Sequence, residues 1–505
     1  VTGRSLFLGV IESCFWAGPV DGQRLRSSVR TKKTAPEFIS GFDLPTKVSR
    51  VAEDSSTNIM SQLKDQSAAG STRRTFIKQA AAVTAVTGAG SIIKTPVYGQ
   101  NQAPSTGRVI GANDRINVGF VGVGNQGFNT HVRQIKNNEA KHNVQAAAAC
   151  DVFSEYRDRA QEFMGVKSGN VYNDHRKLLE RRDIDAVVIA TVDHWHAPVA
   201  IESMEAGKHV LIEKPMTRYL SEGFDVYDTC KRTKRVMQIG AVFCLEKKWH
   251  KAAQLVRDGM IGPLVLGQSS YCRNSPKGEW NYTINPKLTD ASVDWKRWLG
   301  STGTRPFNAD HFFRWRKYNH YCCGILGDLL AHKIHPLMIA SGNPEFPNRV
   351  ACLGTKEITT DRDVPDNTQV LANFPSGYTL MVVGSTVNQQ GLPEMLRGHH
   401  GTLYFGGDKV DLKPETPFGD EIDPESFSGL KPSGADFVAE HADWFDVIRN
   451  GGETKGNIDL SMRAQVVISL AEISERMSLT LLFDEKSRKI TTGTGQEVQP
   501  LNYPA

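Results

Sequence analysis

An apolar run, Ile116-Asn-Val-Gly-Phe-Val121, passes without a break into Gly122-Val-Gly124-Asn-Gln-Gly127, and a helical pattern over 128–136 follows. No other feature narrows the fold so far. A strand running into three glycines at this spacing must turn tightly, bring its backbone close to a ligand and pack the next helix against the strand it has left. Gly122 suits the turn, Gly124 the close approach and Gly127 the helix–strand contact. The free N–H groups and dipole at the helix start favour an anion. Asn125 and Gln126, between the glycines, fall at the same position. The whole reads as a βαβ unit that cradles the pyrophosphate of a dinucleotide.

A second strand is expected over 144–150, ending at Asp151, which lies 24 residues past Gly127. That is close to the spacing of an acid that accepts hydrogen bonds from the adenosine ribose. A carboxylate there repels a 2′-phosphate, so NAD is expected over NADP. Arg157 and Arg159 follow closely and keep NADP as the lesser alternative. A third buried strand is expected over 185–190, then the loop Thr191-Val-Asp-His-Trp-His196-Ala-Pro198, a helix over 199–206 and a strand over 209–212. Strands alternating with helices in this way predict a parallel, doubly wound sheet. Ligands bind beyond its carboxyl strand ends.

The strand over 209–212 ends in Glu213-Lys214-Pro215. With the glycine loop and the 191–198 loop, this resembles the glucose–fructose oxidoreductase/inositol dehydrogenase (Gfo/Idh/MocA) family. Gly327-Asp328-Leu-Leu-Ala-His332 is similar to that family's Asp-x-x-x-His. Residues 294–300 and 305–308 look like a segment that some exported members carry. Residues 399–405 look like a late strand and 437–450 like a closing helix, so the likeness runs over about 115–489.

The resemblance implies a Rossmann domain over 112–245 and, over 246–505, a substrate-binding and oligomerisation α/β domain with a large open, mostly antiparallel sheet. It implies a homodimer or homotetramer built through that sheet. It also implies an NAD-dependent dehydrogenase acting on a secondary hydroxyl of a sugar, sugar acid or cyclitol. Lys214 would hydrogen-bond the reacting oxygen, where a cation stabilises developing negative charge. His332 would be the general base or acid. Asp328, four residues earlier on one helix face, would orient it or contact the substrate. His335 is the second choice as base. Glu213 would line the nicotinamide ribose, and Thr191, His194 and His196 would lie in the cofactor-side loop. Asp193, His194 and His196 complete no ligand set, so no metal is expected.

Arg314-Trp-Arg-Lys-Tyr318, Tyr271 and Arg273 are lesser candidates for the substrate pocket. The stretch 241–249, with Cys244-Leu-Glu-Lys-Lys248, departs from the basic pattern of close relatives, which puts their usual sugars in doubt.

With 505 residues, two folded domains plus tails are expected. A net charge of +5 and no long basic stripe give no sign of a nucleic-acid partner. No apolar run reaches the length of a membrane span. The eight cysteines form no CxxC pair, and the adjacent Cys322 and Cys323 read as packed thiols.

Residues 72–78, Thr-Arg-Arg-Thr-Phe-Ile-Lys, look like a twin-arginine export signal, and 80–93 is a mild apolar stretch of the kind that follows one. Residues 60–100 are therefore expected to be signal and linker, and the protein to work in the periplasm or outside the cytoplasm, with no stable membrane insertion after signal cleavage. Residues 1–59 fit poorly ahead of such a signal and are expected to be disordered or a gene-model extension before a start at Met60. Free NAD is scarce outside the cytoplasm, so the cofactor is expected to stay bound and be recycled within each turnover. The alternatives are an NAD-dependent glycosidase or lyase working through a transient keto-sugar, whose Thr-His-Gly motif has no clear counterpart here, and a non-catalytic dinucleotide sensor. Proteomic analysis of the source cells is expected to recover no peptide from upstream of Met60; one such peptide would refute the internal start.

Overall fold

The computed structural model describes residues 114–504. The expected start at Met60, the export signal and the preceding extension lie outside the described residues. Six parallel strands form the first sheet: β1 (Ile116–Val121), β2 (Val144–Cys150), β3 (Val171–Tyr172), β4 (Ala186–Ile189), β5 (His209–Glu213) and β6 (Met237–Gly240). Their order is β3-β2-β1-β4-β5-β6, and the direction of build reverses between β1 and β4. Each longer strand is a short apolar run buried on both faces, as helices on both sides require. The carboxyl ends of β1 and β4 therefore flank the crevice where this topology places a dinucleotide.

The second sheet has eleven strands; β12 (Gly401–Phe405), β13 (Val410–Pro414) and β14 (Glu425–Phe427) lie toward one edge and β15 (Leu481–Asp484), β16 (Lys489–Thr492) and β17 (Glu497–Val498) toward the other. At its centre lie β7 (Leu264–Cys272), β8 (Arg349–Thr355), β9 (Asn367–Asn373), β10 (Thr379–Ser385) and β11 (Met395–Gly398). Every pairing is antiparallel except that of β7 with β10. Val370, Ala372, Leu380 and Val382 face inward and are buried. The helices Ala331–Ala340 and Ile458–Met477 cover that face. Leu353 and Leu371 alternate to the other face, where they are 72% and 46% exposed. This is the large open sheet anticipated above.

The chain does not divide cleanly at residue 245. The helix Phe437–Asn450 returns to the first sheet, where Trp444, Phe445 and Ile448 join the core around Ile116, Val118, Phe120 and Leu211. A buried bidentate pair also crosses between the two parts: Arg218 donates from Nη1 and Nη2 to the two Glu472 oxygens at 2.7 and 2.8 Å. Trp444 is fully buried and its indole nitrogen has no hydrogen-bond partner. It therefore contributes packing alone. Trp444→Ala is expected to lower stability by about 3–5 kcal/mol, read by chemical denaturation. A loss below about 1 kcal/mol would mean that the returning helix is not part of the nucleotide-domain core.

Candidate active site

The glycine loop has the strained geometry its sequence calls for. Gly122 has φ +83°, and a Cβ on it would lie 2.5 Å from the Ala190 carbonyl oxygen. A Cβ on Gly127 would lie 1.9 Å from the Gly122 oxygen. The chain is π-wound over Gly127–Val132 before becoming α-helical over Arg133–Asn137. Beyond Gly124 the approach is open apart from the edge of the Tyr156 ring, 3.3 Å from where a Cβ would stand. Asp151 accepts from the backbone N–H of Val123 at 2.8 Å and of Phe153 at 2.9 Å. Its burial raises its pKa against those two bonds. Arg157 donates to the Asp151 carbonyl at 2.7 Å, and Arg159 to the Val123 carbonyl at 2.7 Å. Both guanidinium groups therefore brace this corner through backbone carbonyls.

The 191–196 loop is held by its histidines. His196 donates from Nδ1 to the Pro215 carbonyl at 2.7 Å and places Nε2 3.3 Å from the Thr191 carbonyl. His194 donates from Nε2 to the Trp298 carbonyl at 2.8 Å. Burial lowers the pKa of His194 to about 3 and of His196 to about 4, so both rings are neutral. These two residues act on the loop backbone. The Thr191 hydroxyl, by contrast, is buried without a partner. An orphaned hydroxyl beside the Gly122 turn, an open approach over Gly124 and an acid at the end of β2 fit a dinucleotide.

Glu213 is the last residue of β5. Its Oε1 accepts from Gln126 Nε2 at 2.8 Å and lies 3.0 Å from His131 Nε2. The His131 Nδ1 in turn meets His441 Nε2 at 2.9 Å. Burial alone would raise the Glu213 pKa, but the hydrogen bond and charge of His131, with Lys214 and Gln126, bring it down to about 2. Gln126, placed by sequence on the cofactor, thus ties the glycine loop to Glu213. Asn125 is exposed at the loop tip.

Lys214 and Asp328 meet directly. Lys214 Nζ donates to Asp328 Oδ1 at 2.8 Å and to the Asp328 carbonyl at 2.7 Å. Arg316 Nε adds a bond to Oδ1 at 2.9 Å, and Trp280 Nε1 one to Oδ2 at 3.0 Å. Burial would raise the Asp328 pKa, yet Arg316 and Lys214 hold it well below the usual carboxylate range. The carboxylate is wholly engaged here and makes no bond to His332. His332 lies one turn on, with Nδ1 buried and unpartnered, between Phe243 and Tyr271 at centroid distances of 5.3 and 5.9 Å. Burial and then the charge of Lys214 hold its pKa well below the usual histidine value, so the ring is neutral.

His335 does not share this environment. It is fully buried, donates from Nδ1 to the Ala331 carbonyl at 2.8 Å, and no charged group of the site shifts its titration. The π-wound stretch Leu326–Leu330 changes the angular spacing between Asp328 and both histidines, and within the regular helix Ala331–Ala340 His335 turns into the core three residues past His332.

Sequence reasoning ranked Arg316 and Arg273 low and did not single out Trp280 or His131. Arg316 and Trp280 lie 12 and 48 residues before Asp328 along the chain and reach it through the fold. His131 carried a readable signal, four residues beyond Gly127 on the helix face that packs toward β5. Arg273 donates to the Tyr271 hydroxyl at 2.8 Å and to Glu279 at 2.9 Å, so it forms one wall with them. Cys322 and Cys323 are buried free thiols. Among the described residues no group of three or more His, Cys, Asp or Glu side chains could hold a metal ion.

A doubly wound sheet with this loop, followed by a second, large sheet, defines a dinucleotide-binding architecture. Residues 116–241 match the Gfo/Idh/MocA family model, described as "Oxidoreductase family, NAD-binding Rossmann fold". It is 35% identical over 214 residues to a "Glycosyl hydrolase family 109 protein" of Shewanella baltica strain OS185, covering 39% of this chain and 45% of that protein. It is 35% identical over 213 residues, with the same coverage, to an "Alpha-N-acetylgalactosaminidase" of Shewanella oneidensis. The match thus spans about half the length of these curated relatives. Among solved structures, levoglucosan dehydrogenase in complex with NADH and levoglucosan superposes with a TM-score of 0.56 at 19% identity, over 75% of this chain and 99% of that one. Aldose-aldose oxidoreductase from Caulobacter crescentus complexed with glycerol gives 0.56 at 19%, over 73% and 100%. At that identity they share the fold.

Gly127→Ala is expected to weaken NAD binding by at least about tenfold, read by calorimetric titration of protein stripped of nucleotide. Unchanged affinity would mean that the loop does not carry the pyrophosphate.

Proposed function

We propose that this protein oxidises a secondary hydroxyl of a sugar, sugar acid or cyclitol, with NAD held tightly and recycled within each turnover. The observation that carries the reading is the cluster at the end of β5, where Lys214, Asp328 and the neutral His332 converge beside the glycine loop. NAD, when bound, supplies the hydride acceptor. Everything else the reaction needs can come from this chain.

Lys214 has three N–H donors. Two go to Asp328, and the third is left for the reacting oxygen. Asp328 fixes the direction of that donor, while Arg316 and Trp280 fix Asp328. His332 offers an unpartnered nitrogen as proton acceptor. Its depressed basicity makes it a reluctant acceptor and a ready donor. A cycle in which the proton returns within the same turnover suits such a group. The walls supplied by Tyr271, Arg273 and Phe243 combine an aromatic face with fixed donors, as a polyhydroxylated ring requires.

A second reading is favoured by the names of the curated relatives. Transient oxidation at a ring carbon acidifies the neighbouring C–H and permits elimination or glycosidic cleavage before the hydride returns. It uses the same residues for its first step. Release of an aryl alcohol from aryl glycosides, with no net NADH, would favour it over dehydrogenation.

Two further inferences belong to this reading. The open face of the large sheet, with Leu353 and Leu371 exposed, is the surface through which a homodimer or homotetramer forms. The arginine pair at 73–74 directs the folded protein out of the cytoplasm by the twin-arginine route.

Lys214→Ala is expected to lower kcat by about 10²–10³-fold, as removal of one oxyanion donor does, while bound NAD is retained. A sensor would show no turnover to lose. The acid limb of kcat/KM should fall below pH 6.5, because the folded pKa of His332 is depressed and its neutral form persists as pH drops. A limb at or above 6.5, unmoved by His332→Asn, would exclude His332 as the base.

A further inference from the structure

Residues 285–313 join β7 to the catalytic helix and lie outside the matched family region. They do not stay with the second sheet. They lie along the carboxyl strand ends of the first, at three successive places. Past β2, Phe153 and Val293 form an antiparallel bridge. It is completed by Ser154 N–H donating to the Ser292 carbonyl at 3.0 Å and Asp294 N–H to the Val152 carbonyl at 3.1 Å. Past β3, Arg297 Nη1 meets Asp174 Oδ2 at 3.0 Å. Past β4, the Trp298 carbonyl accepts from His194 Nε2 at 2.8 Å and from Trp195 Nε1 at 3.0 Å. The indoles of Trp295 and Trp298 stack at 4.6 Å, and with Phe312 and Tyr321 they bury Phe153 and pack on Val152 and Val192.

Val152 directly follows Asp151, and Val192 directly follows Thr191. They mark the two lips of the crevice on the side of the ribose-binding acid. We propose that residues 285–313 are a built-in cover over the adenosine half of the cleft, and that its opening sets the rate at which the dinucleotide leaves. The proposal rests on the reading of that cleft as an NAD site. A loop hinged at its ends can swing with little loss. This segment is tied by main-chain pairing at one lip and by two donors to one carbonyl at the other, over a buried aromatic cluster. It opens only by local unfolding, which is slow and rare in a well-packed segment. At the catalytic end Tyr271 and Arg273 are only partly buried, and substrate can come and go there. The molecule thus separates slow cofactor exchange from fast substrate exchange by building them at different ends of one cleft.

The test loads the full-length protein with NAD and follows its replacement by isotopically heavy NAD, by mass spectrometry of the denatured supernatant. No turnover is needed. Phe312→Ala loosens the aromatic cluster. The double variant Asn285→Ala/Arg297→Ala removes the partly exposed bonds to Glu155 and Asp174 and leaves the core intact. Exchange is expected to quicken by at least about tenfold in the first variant and about threefold in the second, with cooperative thermal unfolding retained in the second. Exchange within about twofold of the parent in the folded double variant, and in Phe312→Ala if it folds, overturns the cover. A parent protein that binds no NAD at all fails differently: it removes the reading of the site and this proposal with it.

Discussion

The bond between Lys214 and Asp328 is the contact on which the site depends. It joins the turn after β5 of the first sheet to the helical segment that runs between β7 and β8 of the second. Lys214 donates to both the side chain and the backbone of Asp328, so the lysine reads the position of the helix itself. Arg316 and Trp280 complete the shell of the carboxylate. A buried charge pair is worth little in net stability, but removing one partner leaves an uncompensated charge costing about 3–5 kcal/mol. The pair therefore contributes little by existing and imposes a large cost on any arrangement that separates the two parts of the molecule. That asymmetry suits an active site assembled at a junction.

Around this pair the protein spends buried histidines on architecture. His194 and His196 serve backbone carbonyls, His131 serves Glu213, and His335 serves the turn before it. Burial keeps His194, His196 and His335 neutral. A neutral imidazole is a rigid donor on one side and an acceptor on the other, well suited to pinning a loop whose backbone must lie against a ligand. His332 differs in facing the charged cluster, where burial and the Lys214 charge depress its titration, and its Nδ1 has no partner. A buried polar atom left without a partner costs about 1–3 kcal/mol, and such a cost is tolerated where a ligand atom completes the bond.

The long segment before the catalytic helix serves both halves of the site. Its early part carries Trp280, its later part Arg316, and the stretch between them covers the β2 and β4 strand ends. A single excursion of the chain thus runs from the β2 and β4 strand ends to the Asp328 carboxylate. The helix Phe437–Asn450 does the complementary work from behind, burying Trp444 in the nucleotide core and presenting His441 to His131. The two domains are interleaved along the chain, which resists any hinge that would open the catalytic pair.

The sequence alone determined whatever rests on local stereochemistry or on strict spacing. Gly122 and Gly127 are glycine because a Cβ would strike backbone, and both stand within one six-residue run. The apolar runs of β1, β2, β4 and β5 identify a parallel sheet because strands buried on both faces cannot alternate. Lys214 and Asp328 were legible from their motifs, and the structure brings them together. Tertiary structure decided the rest. Arg316, Trp280 and His441 reach the site from distant segments with no local periodicity to announce them. His335 stands about one turn from His332, but only the packed core shows that its ring is spent on the Ala331 carbonyl. His194 and His196 sit in the expected loop, but only the three-dimensional fold shows that their rings face carbonyls. Local rules act within a turn or a strand, whereas the partners of a buried polar group are set by whichever distant backbone the packed core brings within hydrogen-bond reach.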